Sequence, residues 1–140
     1  MTSAKVSGDS EGQARLRGIV LFAHGSRDPL WHRPMQAVAQ RILQNSTALA
    51  VECAYLELST PDLQTACHSL LARGVRTITI VPMFLGVGKH AREDLPILVQ
   101  ALRANHPDTH FELHSAVGED LRLIALLADI AVERPQDSVR

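Results

Sequence analysis

Gly18–Ala23 reads GIVLFA and runs directly into His24-Gly25-Ser26-Arg27. A short run of apolar and small residues, rich in β-branched and aromatic side chains, matches a strand buried on both faces. Such a strand belongs to a parallel sheet, and parallel strands need helical crossovers. The chain supplies them on its C-terminal side. Pro34–Leu43 places Met35, Ala37, Val38, Ala39, Ile42 and Leu43 at helical spacing. Ala50–Leu56 (AVECAYL) reads as a second strand, interrupted by Glu52. Thr60-Pro61 opens a helix, with Thr60 as N-cap and proline in the first turn, that runs to Arg73 and is ended by Gly74. Arg76–Val81 (RTITIV) is a third strand. Pro82–Lys89, with Gly86 and Gly88, reads as a loop, and Asp94 and Pro96 restart a helix that reaches Asn105. His110–Leu113 is a weaker fourth strand and Glu119–Val132 a final helix.

This βαβαβαβα order predicts an α/β fold. It is a small doubly wound parallel four-stranded sheet with helices on both faces, in effect a flavodoxin-like half. Strand 1 then lies between strands 2 and 3, and ligands of such sheets bind beyond the C-terminal strand ends at the switch point. Residues 18–133 form one domain. Residues 1–17 are polar and aperiodic and read as a disordered leader, and 134–140 as a frayed tail.

Composition narrows the function. The chain has 140 residues, 46% hydrophobic and 21% charged, which suits one globular domain. Fourteen basic against fifteen acidic residues argue against a nucleic-acid partner, and 4% aromatics against a platform for stacking bases. No apolar run approaches the roughly 18–20 residues that span a membrane, and no secretory h-region is present. Cys53 and Cys67 form no CxxC pair and read as reduced residues of a cytoplasmic protein.

The unusual residues gather at one sheet edge. Strand 1 ends at His24, strand 2 at Glu57, and strand 3 feeds the loop carrying Lys89 and His90. Gly25 lets the chain turn and leaves the His24 ring in the crevice. His24 and His90 together can bind a borderline divalent cation, and two protein ligands leave positions open for its delivery. Glu57 is a third ligand or a proton acceptor, favoured in the second role by a partly apolar crevice. Arg27, Lys89 and Arg92 suit a polycarboxylate ligand, and Ser26 joins them as a substrate contact. His110, Glu112 and His114 share the wet face of an edge strand, and His32 and His68, on helices, receive no role. Trp31 either flanks a flat ligand or anchors the first helix. GxGxxG, GxxxxGK[ST] and GxSxG are absent from the sequence.

Three segments, LFAHGSRDP from Leu21, YLELSTPDL from Tyr55 and ITIVPMFLGVGKHAREDLP from Ile78, resemble the small sirohydrochlorin chelatases of the CbiX/SirB type. The similarity runs from about Gly18 to about Ala131. It implies a chelatase-like fold and an ATP-independent lyase that inserts a divalent metal, most often Co2+ and in relatives Fe2+ or Ni2+, into sirohydrochlorin for cobalamin or another tetrapyrrole. It implies that His24 and His90 bind the metal as substrate and that Glu57 belongs to the site. It also implies a homodimer, and no permanently bound cofactor. Where the family often has asparagine after HGSR, this chain reads Trp31-His32-Arg33-Pro34.

Insertion exchanges two pyrrole protons for one dication, so the site needs labile ligands, a base and cationic anchors. Neutral imidazoles hold and release the metal, and activity should fall as pH drops through roughly 6.5, the ordinary histidine value. A non-catalytic metal carrier, or a fold that binds tetrapyrrole without inserting metal, would use the same two histidines.

Overall fold

The computed structural model of the chain describes residues 16–135. The expected leader and tail lie outside the described residues, apart from residues 16–17 and 134–135. Strand β1 (Arg17–Ala23) occupies an inner position and pairs in parallel with β2 (Leu49–Tyr55) and with β3 (Thr77–Pro82). Strand β4 (His110–Leu113) adds outside β3, giving the order β2-β1-β3-β4. This is the expected doubly wound sheet. The register sets Ala23 opposite Tyr55 and Phe22 opposite Pro82, so three strands end at one level.

β1 is central because both of its faces are apolar. Val20 and Phe22 join the larger core, which takes Leu63, Cys67 and Leu70 from α2 (Leu63–Ala72) and Leu95, Val99 and Leu102 from α3 (Lys89–Asn105). Leu21 and Ala23 join the smaller core beneath Met35 of α1 (Arg33–Asn45). A short 3₁₀ turn, Pro29–His32, leads into α1.

Besides shifts of a residue or two elsewhere, three helix starts differ from the sequence reading. Helix α2 starts at Leu63, capped by Asp62, whose Oδ1 accepts from Thr65 N at 2.8 Å. Thr60 is not the cap, because the Pro61 carbonyl accepts from Tyr55 N at 3.0 Å and holds this dipeptide in the turn after β2. Helix α3 starts at Lys89, ahead of Asp94, and carries Pro96 in its interior. The unbroken buried stripe Ala91, Leu95, Val99 and Leu102 outweighs the local cost of the proline, roughly 3 kcal/mol. His90 therefore stands on a helix and not in a loop. The last helix, α4 (Leu121–Val132), starts beyond a 3₁₀ turn at Val117–Glu119, with Asp120 as its cap.

Helix α4 reads LRLIALLADIAV, apolar almost all round, yet none of its residues is buried. It associates chiefly with the Val117–Glu119 turn. On the sheet face that carries α1, α1 packs mainly over β2, and His110, Glu112 and His114 at the opposite edge are exposed.

Burial pushes the Cys67 thiol up to about 12 and also raises that of the half-buried Cys53. A thiol reagent at pH 8 should therefore leave Cys67 unlabelled in the native protein and reach it only on unfolding. Rapid labelling of both cysteines before the far-ultraviolet signal changes would contradict this packing.

Candidate functional site

The parallel ladder continues past the strands. Leu56 N donates to Ala23 O and Glu57 N to His24 O, each at 2.9 Å. The main chain of Glu57 is thereby fixed beside that of His24. Gly25 follows with φ +107°, and a Cβ built there would lie 1.8 Å from the Glu57 carbonyl oxygen. Only glycine permits both the conformation and the approach.

The loop beyond is tied to the same neighbour. Ser59 Oγ accepts from Ser26 N at 2.9 Å and donates to Ser26 O at 2.7 Å. His32 Nε2 lies 3.0 Å from Ser26 O and 3.3 Å from Ser59 Oγ, so a ring protonated on Nε2 also satisfies that carbonyl. Ser26 Oγ in turn accepts from Asp28 N at 3.1 Å. Ser26, read from the sequence as a substrate contact, thus spends its amide, carbonyl and hydroxyl on holding the loop. Trp31 packs edge-on against His32, with ring centroids 5.3 Å apart. His32 and Ser59 were given no role by sequence reasoning. Their link spans 27 residues and exists only once β1 and β2 are adjacent.

The ring of His24 is exposed and lies against Phe84, with centroids 4.3 Å apart and planes at 38°. Phe84 is buried in the loop after β3, and its carbonyl accepts from Gly118 N at 2.9 Å. His90 is exposed in the first turn of α3 beside Lys89 and Arg92, both also exposed, as is Arg27. Glu57 is exposed as well, so its carboxylate does not sit in the partly apolar crevice expected for it. Among the described residues no group of three or more His, Cys, Asp or Glu side chains is disposed to hold a metal. Glu57 therefore does not complete a three-ligand set with the two histidines.

A groove of about 540 Å³ opens between α2 and α3 below this edge. Asp94, Ile97 and Leu98 of α3 form one wall, and Leu56, Asp62 and Leu63 the other. None of His24, Glu57 and His90 lines it. His90 precedes Asp94 by one helical turn, so it stands above the α3 wall at the groove's upper end.

A switch-point histidine fixed to its neighbouring strand, with a second histidine leading α3, is the arrangement found over the stretch 18–134, which the CbiX family profile matches. The chain belongs to the CbiX family. This protein is 30% identical over 91 residues to a sirohydrochlorin cobaltochelatase of Methanocaldococcus jannaschii, covering 65% of this chain and 64% of that one. Two further archaeal cobaltochelatases are spanned over only 57% and 54% of their lengths. The cobaltochelatase of Methanosarcina acetivorans is 27% identical over 129 residues, covering 87% of this chain and 96% of that one. The crystal structure of a CbiX protein from Marinobacter aquaeolei VT8 superposes with a TM-score of 0.70 at 32% identity, covering 82% of this chain and 93% of that one.

Gly25→Ala should lower stability by at least ~1–2 kcal/mol, from the left-handed backbone alone. Gly86→Ala, which meets nothing within 4 Å, should stay within about 0.5 kcal/mol of the wild type. Urea unfolding of the two variants checks the difference, and equal midpoints would contradict the close approach.

Proposed function

We propose that this CbiX protein is an ATP-independent chelatase that inserts a divalent metal into sirohydrochlorin, Co2+ foremost and Fe2+ or Ni2+ as alternatives. The observation that carries the reading is the placement of His24 and Glu57 on hydrogen-bonded main chain at the switch point of a CbiX fold. Relatives named for cobalt and for iron both match the chain, and all three metals accept imidazole. His24 and His90 hold the incoming metal as substrate, and their exposure suits ligands that must load and release it. Glu57, equally open to solvent, takes a pyrrole proton and returns it to water, and the second pyrrole proton leaves by the same route as the metal replaces both. Arg27, Lys89 and Arg92 meet the carboxylates of the macrocycle, and Ser26 keeps the loop that carries Arg27 in place. No permanently bound cofactor takes part.

The active form in this reading is a homodimer with a second copy of this chain. Helix α4 exposes Leu121, Ile124, Leu126, Leu127, Ile130 and Val132, and an all-round apolar helix belongs in a protein interior. The sheet face left open beyond α1 offers cover, and reciprocal docking of two such helices answers both exposures. Two free thiols and no helix long and apolar enough to cross a membrane, among the described residues, agree with a cytoplasmic location.

The test is the absorption spectrum of sirohydrochlorin mixed with Co2+ and enzyme, against the rate without enzyme. Glu57→Gln should lower the insertion rate about 10²–10⁴-fold while leaving sirohydrochlorin binding nearly intact. His24→Ala should weaken Co2+ binding as well as turnover. A Glu57→Gln enzyme with wild-type turnover across the pH range would remove Glu57 from the mechanism, and an unaccelerated reaction would leave a carrier of metal or tetrapyrrole. Sedimentation at micromolar concentration should give a dimer, and Leu126→Lys should shift it toward monomer. A fully active wild-type monomer would refute the assembly.

A further inference from the structure

Far from the switch point, two other histidines face each other. His68 lies on the outer side of α2, and His106 directly follows the last residue of α3. Their Nε2 atoms are 3.3 Å apart, their ring centroids 5.2 Å, and the ring planes meet at 79°. His106 is held in place by its main chain. Its amide donates to Leu102 O at 3.0 Å, and its carbonyl accepts from Thr109 N at 3.1 Å. Phe111 backs the ring. Because α3 runs for 17 residues from Lys89, the pair lies roughly 25 Å from His90 along the helix.

The spacing admits a shared ion as well as the hydrogen bond that the two Nε2 atoms are placed to make. An N–H···N bond is ordinarily shorter, about 3.0 Å, and a head-on one at the observed nitrogen distance would hold the centroids roughly 5.6 Å apart. The shorter centroid distance shows that the contact is not head-on and that at least one ring is inclined to the line between the nitrogens. A tetrahedral dication bound to imidazole nitrogens at about 2.0–2.1 Å sets two donors roughly 3.3 Å apart and their centroids roughly 5.2 Å apart. We propose that His68 and His106 form a second metal site, which holds one divalent transition-metal ion on the surface at the end of the sheet opposite the insertion site.

Imidazole donors select the Co2+, Ni2+, Cu2+ and Zn2+ class. A shallow hollow of about 280 Å³ opens beside His106, bordered also by Asn105, Pro107 and Asp108. Arg76 borders that hollow, but its guanidinium is turned onto the carbonyls of Leu71 and Val75. Roughly 25 Å along α3 from His90, this site binds metal without inserting it. This site stands apart from the chelatase reading, because the measurement that decides it is metal binding.

The experiment titrates full-length His24→Ala/His90→Ala protein with Zn2+ by calorimetry. One Zn2+ per chain is expected, with an affinity that falls at least tenfold in either His68→Gln or His106→Gln added to that background. In wild-type protein, Zn2+ should shift the ring 15N resonances of His68 and His106 together. Turnover of the His68→Gln chain should stay at the wild-type level. No Zn2+ uptake by the background protein, or an affinity unchanged by His68→Gln, would overturn the site. His68 is exposed on α2, so its substitution disturbs no packing.

Discussion

The hydrogen bonds from Leu56 N to Ala23 O and from Glu57 N to His24 O govern the rest of the molecule's candidate chemistry. They extend the β1–β2 ladder past the last strand residues, and they require a neighbour without a Cβ at position 25. A parallel strand ends with carbonyls that point sideways at its neighbours, so the first residues of each following loop are captured by the strand beside it. That capture converts two loops, which by themselves would be mobile, into a rigid edge. The Ser26, Ser59 and His32 contacts then complete what the ladder begins.

Rigidity at this edge rests on the core below it. Val20 and Phe22 face one layer of helices, and Leu21 and Ala23 face another, so β1 cannot shift without opening two cores. Phe84 links core and site. It is buried against Phe22, with centroids 6.1 Å apart, and also carries the His24 ring. Among the described residues, the exposed apolar helix α4 is an element whose composition the single chain does not explain.

Seven histidines in one small chain divide by environment and not by sequence context. His32 serves a carbonyl, His110 pairs with Glu112 at 3.3 Å, and His114 bonds to the neighbouring Ser115 carbonyl. His24 stands open just past β1, and His90 in the first turn of α3. His68 and His106 meet across the gap between two helices. A site that must exchange its ion favours exposed imidazoles such as those of His24 and His90.

The sequence by itself determined the strand and helix order, the central place of GIVLFA, the switch point and the motif that marks the family. These follow from periodicity and turn chemistry, which act over a few residues. It misplaced the start of α3, because Pro96 is a local signal for a boundary while the buried stripe from Ala91 to Leu102 is a tertiary reward. It set Glu57 in an apolar crevice, although solvent exposure depends on what neighbouring loops leave uncovered. It gave no hint of His32 against Ser59 or of His68 against His106, since residues 27 and 38 positions apart meet only when separate helices and strands dock. Tertiary structure decided those pairings because a side chain's partners are fixed by packing, whereas its secondary structure is largely fixed by its neighbours along the chain.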